Sequence, residues 1–275
     1  MPDMPTVPFG PHRVSRLIIG GNPFSGNSHY SPALNEEMAD YFTADRIVRT
    51  LLRCQSLGMR TVQTRADRHL MRVLREYRNA GGTMDWIAQT ASELADLEGN
   101  VRQIAAQGAI GAYHHGSRTD RLWAEGRIDD VLPLLQCMRD EGLQVGVGTH
   151  IPEVIDYIEE RGWDVDFYMA CLYNLNRKPR DGAIVAGGMA GEQDLFHDED
   201  REAMARRILA TDKTVLAFKL LAANRKTATP ADRREAFRWA FAHIKPGDAV
   251  VVGMFPKYGD QVRENVGYTL EFGAV

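Results

Sequence analysis

The chain has 275 residues, 44% of them apolar and 25% charged, enough for one sizeable core and the usual length of a single α/β barrel domain. A formal net charge of −4 provides no basic face for phosphate neutralisation, which argues against nucleic-acid binding and for small-molecule chemistry. Residues Met1 to Pro11 lack the apolar core of a leader, no run approaches a membrane span, and Cys54, Cys137 and Cys171 are widely spaced without a Cys-x-x-Cys pair, so a cytoplasmic protein in a reducing compartment is expected.

Apolar strands alternate with amphipathic helices from end to end, the pattern of a parallel barrel. Val14 to Gly21 reads as the first strand, closed by two glycines, and a polar stretch from Ser25 to Asp40 follows that is too long for an ordinary connection and is expected to overhang a site. Ile47, Leu51, Cys54 and Leu57 mark a helix, Arg60 to Thr64 a second strand, Leu70 to Tyr77 a second helix and Met84 to Gln89 a third strand. A helix from Leu94 to Gln107 leads into a fourth strand, Ala109 to Tyr113, whose end carries His114 and His115. Ile128 to Met138 is helical in period, Leu143 to Val147 is a fifth strand delivering His150, and Pro152 opens the next helix with Glu153 in its first turn. Val165 to Leu172 is a sixth strand.

Residues 176–198 hold four glycines and little periodicity, which reads as a mobile lid over an active site or as a surface insertion. Beyond it, Asp200 to Leu209 is a helix, Val215 to Leu221 a seventh strand, Pro230 to His243 a helix, Ala249 to Gly253 an eighth strand, and Gln261 to Leu270 a closing helix. The whole chain, 1–275, is read as one barrel domain.

Several segments in order resemble the aldo-keto reductases. Arg13 to Gly20 is similar to that family's opening val-ser-x-leu-gly-x-gly, Gly58 to Thr64 to its gly-x-x-x-phe-asp-thr-ala, Leu143 to Glu153 to its gly-val-ser-asn segment, and Cys171 to Leu175 to its gln-x-x-tyr-asn-leu. Leu216 to Leu221 and Val251 to Asn265 resemble its last two strands, including the glu-asn pair, here Glu264-Asn265. The resemblance implies an aldo-keto-reductase-like (β/α)8 TIM barrel with an N-terminal capping hairpin. It also implies an aspartate, tyrosine, lysine and histidine tetrad, the tyrosine giving its proton to the carbonyl that receives hydride. This chain departs from that tetrad. Gln63 stands at the aspartate position, Arg65 to His69 offers no tyrosine, the lysine position falls on Gln89 or Thr90, and only the histidine is retained, as His114 or His115. For an NAD(P) cofactor, the resemblance would place Tyr173 and Asn174 on the nicotinamide side, Glu264 and Asn265 on the adenine side and Lys257 at a phosphate.

In a parallel barrel the chemistry sits where strands end. His115 and His150 end consecutive strands, about 4.8 Å apart in a sheet, so with Glu153 and Glu93 they could ligate Zn, Mn or Fe, while the alternative is a hydrogen-bonded barrel histidine and a glutamate serving its helix dipole. Lys219 is a candidate base, Schiff-base nucleophile or anion holder, or else a structural lysine paired with Asp166 or Glu93. The expectation is therefore an enzyme without reductase chemistry that transfers protons on a small sugar or keto-sugar, as isomerase, epimerase or lyase. His115, His150, Lys219 and His114 would do the chemistry, and Asn22, Gln63, Arg65, Gln89 and Asn174 would orient hydroxyl groups. The alternatives are an NAD(P)-dependent oxidoreductase with a rearranged proton donor and a non-catalytic ligand-binding barrel. Nothing in the sequence speaks to oligomeric state.

Overall fold

The computed structural model describes residues 3–175 and 195–275. The expected lid, 176–198, falls almost wholly outside the described residues. The chain opens with an antiparallel hairpin, β1 (Thr6–Phe9) and β2 (His12–Ser15), turned at Gly10 with φ of 56°. Eight parallel strands then close into a barrel: β3 (Leu17–Gly20), β4 (Thr61–Arg65), β5 (Asp85–Gln89), β6 (Gly111–His114), β7 (Gln144–Thr149), β8 (Phe167–Cys171), β9 (Thr214–Phe218) and β10 (Ala249–Gly253). The ring runs in chain order, with β10 pairing back onto β3. This is the expected TIM barrel, capped by the expected hairpin.

Period-two alternation divides the side chains into two cores. Ile18, Ile87, Tyr113, Phe167, Met169, Leu216 and Val251 pack inside the barrel, and Val7, Phe9 and Val14 of the hairpin close its lower end, with the Phe9 and Phe167 rings 4.9 Å apart. Leu17, Ile19, Val62, Ala88, Val145 and Val250 face outward onto the helical layer. That layer comprises α1 (Pro32–Tyr41), α2 (Ala44–Ser56), α3 (Arg68–Asn79), α4 (Leu97–Ala106), α5 (Gly116–Ala124), α6 (Leu132–Asp140), α7 (Pro152–Glu160), α8 (Asp198–Ala210), α9 (Pro230–Ala242) and α10 (Gln261–Phe272).

Three local readings are corrected. The polar stretch 25–40 contains α1, capped by Ser31 Oγ accepting from the Leu34 N–H at 3.2 Å and opened by Pro32. It escaped notice because α1 buries only Asn35 and Met38, too few for an apolar stripe. Helix α5 was missed for a related reason: Thr119 and Asp120 are among its buried positions, so polar residues occupy its inner face. The seventh strand ends at Phe218, and Lys219 lies just beyond it in the left-handed region with φ of 65°.

Candidate functional site at the barrel mouth

Residues at the carboxyl ends of the strands converge as alternation requires. Arg65 is in register with Gln89, and Gln89 with Tyr113, which brings the ends of β4, β5 and β6 to one level. The Tyr113 hydroxyl accepts from Gln63 Nε2 at 2.9 Å and donates to Gln89 Oε1 at 3.0 Å. Burial pushes the phenol pKa up, so it stays neutral. A phenol therefore does stand between Gln63, which the resemblance sets at the aspartate position, and Gln89, one of the two residues it allows at the lysine position. Sequence reasoning looked for it after β4, whereas β6 supplies it; its position two residues before His115, on the same face of the strand, was the available signal.

The two neighbouring histidines separate. His114 is 2% exposed, its Nδ1 2.7 Å from Thr119 Oγ1 of α5, and burial holds its pKa down at about 3. It belongs to the barrel–helix interface, and its expected catalytic role is withdrawn. His115 is half-buried at the start of α5. Its Nδ1 lies 2.8 Å from Ser92 Oγ, and its backbone N–H donates to Thr90 Oγ1 at 3.2 Å. Burial, then the charges of His114, His150, Arg65 and His29, hold its pKa well below the ordinary imidazole value. It is thus a neutral hydrogen-bonding group at physiological pH.

His150 is organised differently. Its Nδ1 is 2.6 Å from Asp120 Oδ2, and its backbone N–H also donates to that carboxylate at 3.2 Å. Thr149 Oγ1 donates to Asp120 Oδ1 at 2.6 Å. A carboxylate only accepts, so Nδ1 carries the proton. The pair depends on a close backbone approach: a Cβ on Gly148 would lie 2.9 Å from Gly116 N and 3.0 Å from the His114 carbonyl oxygen. Glycine at 148 lets α5 begin against β7 and bring Asp120 to His150. The sequence reading singled out His150 and overlooked Asp120.

The expected metal-ligand set is not assembled. Glu153 is exposed on the first turn of α7, Glu93 forms an ion pair with Arg65, and among the described residues no three His, Cys, Asp or Glu side chains are grouped to hold a metal. Arg65, which also bonds Asp67 Oδ2 at 2.9 Å, is a braced cation at the rim. The structural partners considered for Lys219 are likewise engaged elsewhere, Asp166 with Arg139 at 2.7 Å and Glu93 with Arg65.

A cavity of about 810 Å3 opens beside this cluster, within the usual range for small-molecule sites. Gln63, Asn22, Met169, Phe218 and Lys219 form its inner end, and it extends over the ends of β9 and β10 to α10. Phe218 joins the two regions, its ring edge-on to that of His150 at 5.6 Å. The segment between β3 and α2 overhangs the cavity, as expected, through Ser28, His29, Leu34 and Met38. It is tied across the opening by Lys257 Nζ to Glu37 Oε1 at 2.6 Å and by Arg225 donating to the His29 carbonyl oxygen at 3.0 Å.

The residues expected to hold a nicotinamide cofactor divide. Glu264 and Asn265 line the cavity, but Glu264 is gripped by Arg233 at 2.8 Å and by the Tyr268 hydroxyl at 2.9 Å. Lys257 is paired with Glu37. Tyr173 is fully buried with its ring edge-on to Phe196 at 5.0 Å, so it is not an exposed stacking platform, and the Asn174 N–H donates to Asp200 Oδ2 at 3.2 Å.

No protein-family model and no curated protein matches this chain. Solved structures do. A glycerol dehydrogenase from Gluconobacter oxydans is 11% identical with a TM-score of 0.54, over 98% of this chain and 96% of that one. An aldo/keto reductase from Brucella melitensis is 13% identical with a TM-score of 0.53, over 95% and 92%. A truncated 3-deoxy-D-arabino-heptulosonate 7-phosphate synthase from Thermotoga maritima is 12% identical with a TM-score of 0.54, over 98% and 91%. At such identities the likeness is one of fold: this chain has the α/β barrel on which reductases and synthases of several classes are built.

Proposed function

We propose that this protein is an enzyme that moves a proton at the carbon beside the carbonyl of a small polyhydroxylated substrate, a sugar or keto-sugar. The observation that carries the reading is the buried Asp120–His150 pair at the carboxyl end of β7, with His150 Nδ1 held 2.6 Å from the Asp120 carboxylate. His115, neutral and bonded to Ser92, donates from Nε2 to the substrate carbonyl and to the enediolate oxygen formed from it. Lys219 supplies a fixed positive charge at the inner end of the cavity, and Gln63 and Asn22 offer hydrogen bonds to hydroxyl groups there. Loss of the Asp–Lys pair that would activate a phenol argues against ordinary carbonyl reduction.

A second reading, an NAD(P)-dependent oxidoreductase with a rearranged proton donor, is favoured by one observation: the cavity runs from the mouth along β9 and β10 to Glu264 and Asn265. Two measurements separate the readings. Ketoses, aldoses and keto-sugars incubated with the protein in D2O should gain deuterium beside the carbonyl, followed by proton NMR. NADPH should show neither saturable binding by fluorescence nor enzyme-dependent oxidation with those compounds; hydride transfer without solvent exchange would replace the first reading by the second.

A further inference from the structure

Ala222, Ala223 and Asn224, in the loop between β9 and α9, stand in succession in the left-handed region, with φ of 50°, 47° and 75°. Each bears a Cβ that disfavours this conformation, and backbone held there against that preference concentrates at ligand sites. Here the loop's own carbonyl groups are what is held. Arg225 Nη1 lies 3.5 and 3.4 Å from the Ala222 and Ala223 carbonyl oxygens, and Thr227 Oγ1 lies 2.9 Å from the Asn224 carbonyl oxygen and 2.6 Å from Asn224 Oδ1.

Peptide planarity then sets where the donors point. In a trans peptide the carbonyl of one residue and the N–H of the next point in opposite directions, and none of the described peptide bonds is cis. With the Ala222 and Ala223 carbonyls turned to the guanidinium, the N–H groups of Ala223 and Asn224 are turned away from it, side by side. Among the described residues neither meets an acceptor, whereas the Ala222 N–H donates to the Lys219 carbonyl oxygen at 2.7 Å and the Arg225 N–H to that of Ala222 at 3.2 Å. Ala223 and Asn224 line the cavity and Arg225 does not, so the side away from the guanidinium is the cavity side. Successive N–H groups presented in this way form a concavity for an anion. The charges around it agree: Lys219, Arg233 and Arg263 line the same cavity, and its carboxylates are engaged, Asp260 by Arg53 at 2.8 Å and Glu264 by Arg233 at 2.8 Å.

We propose that the Ala223 and Asn224 N–H groups form a phosphate subsite and that the substrate is a phosphorylated sugar, its phosphate monoester seated on this turn and its hydroxyl groups reaching Gln63 and Asn22. Naming the ligand as the substrate rests on the proton-transfer reading above; the anion subsite itself does not. A phosphate monoester is close to a dianion at neutral pH and presents three terminal acceptor oxygens, which suits a pair of adjacent N–H donors with cations around them. A cavity of about 810 Å3 has room for that group beyond a sugar ring.

The test titrates wild-type protein, Asn224→Asp and Asn79→Asp by calorimetry with inorganic phosphate, with pentose and hexose monophosphates, and with the same sugars lacking phosphate, while NMR follows the Ala223 and Asn224 amide protons. Aspartate tolerates the left-handed conformation and keeps the acceptor beside Thr227, so Asn224→Asp changes little except the charge next to the two donors. Asn79→Asp adds the same charge at the exposed end of α3. The expected result is that a monophosphate binds at least about 10-fold tighter than its free sugar and that Asn224→Asp, unlike Asn79→Asp, weakens it about 10-fold. Inorganic phosphate should compete with it and move both amide protons downfield. Monophosphates that bind no tighter than the free sugars, or binding that Asn224→Asp leaves unchanged, would overturn the inference, as would NADPH occupying these amides while no monophosphate does. A monophosphate that binds as expected yet exchanges no proton in D2O would leave the subsite standing and remove the proton-transfer reading instead.

Discussion

Replacing Asp120 tests whether the His150 pair is organised as its geometry indicates. Asp120→Ala removes the acceptor of three donors, the Thr149 hydroxyl, the His150 N–H and His150 Nδ1–H, in a region where Asp120 is 2% and His150 5% exposed. Hydrogen bonds to a charged group contribute roughly 1.5–3 kcal/mol each and buried donors left without acceptors add a penalty, so the loss should be about 4 kcal/mol, with some recovery because Thr149 can turn to the Ile151 carbonyl. Asp120→Asn is the sharper change. Its amide oxygen still accepts from Thr149 and from the His150 backbone, so stability should fall by only about 1–2 kcal/mol. Its NH2 group, however, faces Nδ1, which must then become the acceptor, moving the imidazole proton to Nε2 and removing the base. Urea denaturation reads the two stabilities, and nitrogen-15 NMR of the imidazoles reads the tautomer without any substrate. The reasoning is refuted if Asp120→Ala costs under about 1 kcal/mol, or if His150 in Asp120→Asn keeps its proton on Nδ1.

The folded-state pKa of His114 is depressed to about 3, so below about pH 6.5 the unfolded chain takes up a proton that the native one refuses, and stability is lost as pH falls through that window. The loss from this residue should be about 2 kcal/mol between pH 7 and 5, with His115 adding in the same direction; urea midpoints that do not move over that range would contradict it. Tyr113→Phe removes the hydroxyl between Gln63 and Gln89 and should cost roughly 1–3 kcal/mol while raising KM more than it lowers kcat, because the amides lose their fixed orientation; an unchanged KM would speak against their contact with substrate. Burial pushes the Cys54 thiol up to about 12, so in native protein at pH 8 a disulfide reagent should modify half-exposed Cys137 and leave Cys54 untouched until denaturant is added; equal rates would show that α2 opens readily.

The barrel and most strand ends were legible in the chain because they depend on local periodicity, whereas the capping hairpin was expected from the family resemblance alone. An apolar run bounded by glycine is a buried strand wherever it packs, and alternation alone puts Gln63, Gln89 and His115 on inward-facing positions. Periodicity failed where a helix turns polar groups inward, as α5 does with Thr119 and Asp120, or buries few, as α1 does. The site itself was decided by contacts between distant segments. Asp120 meets His150 across 30 residues of sequence, and Tyr113 reaches Gln63 across 50. Neither pairing has a local signature, because each follows from how closely α5 approaches β7 and from which layer of the barrel a ring occupies. The same packing set His114 apart from His115: adjacent residues on a strand face opposite sides, so one imidazole was sealed between β6 and α5 and the other left at the mouth.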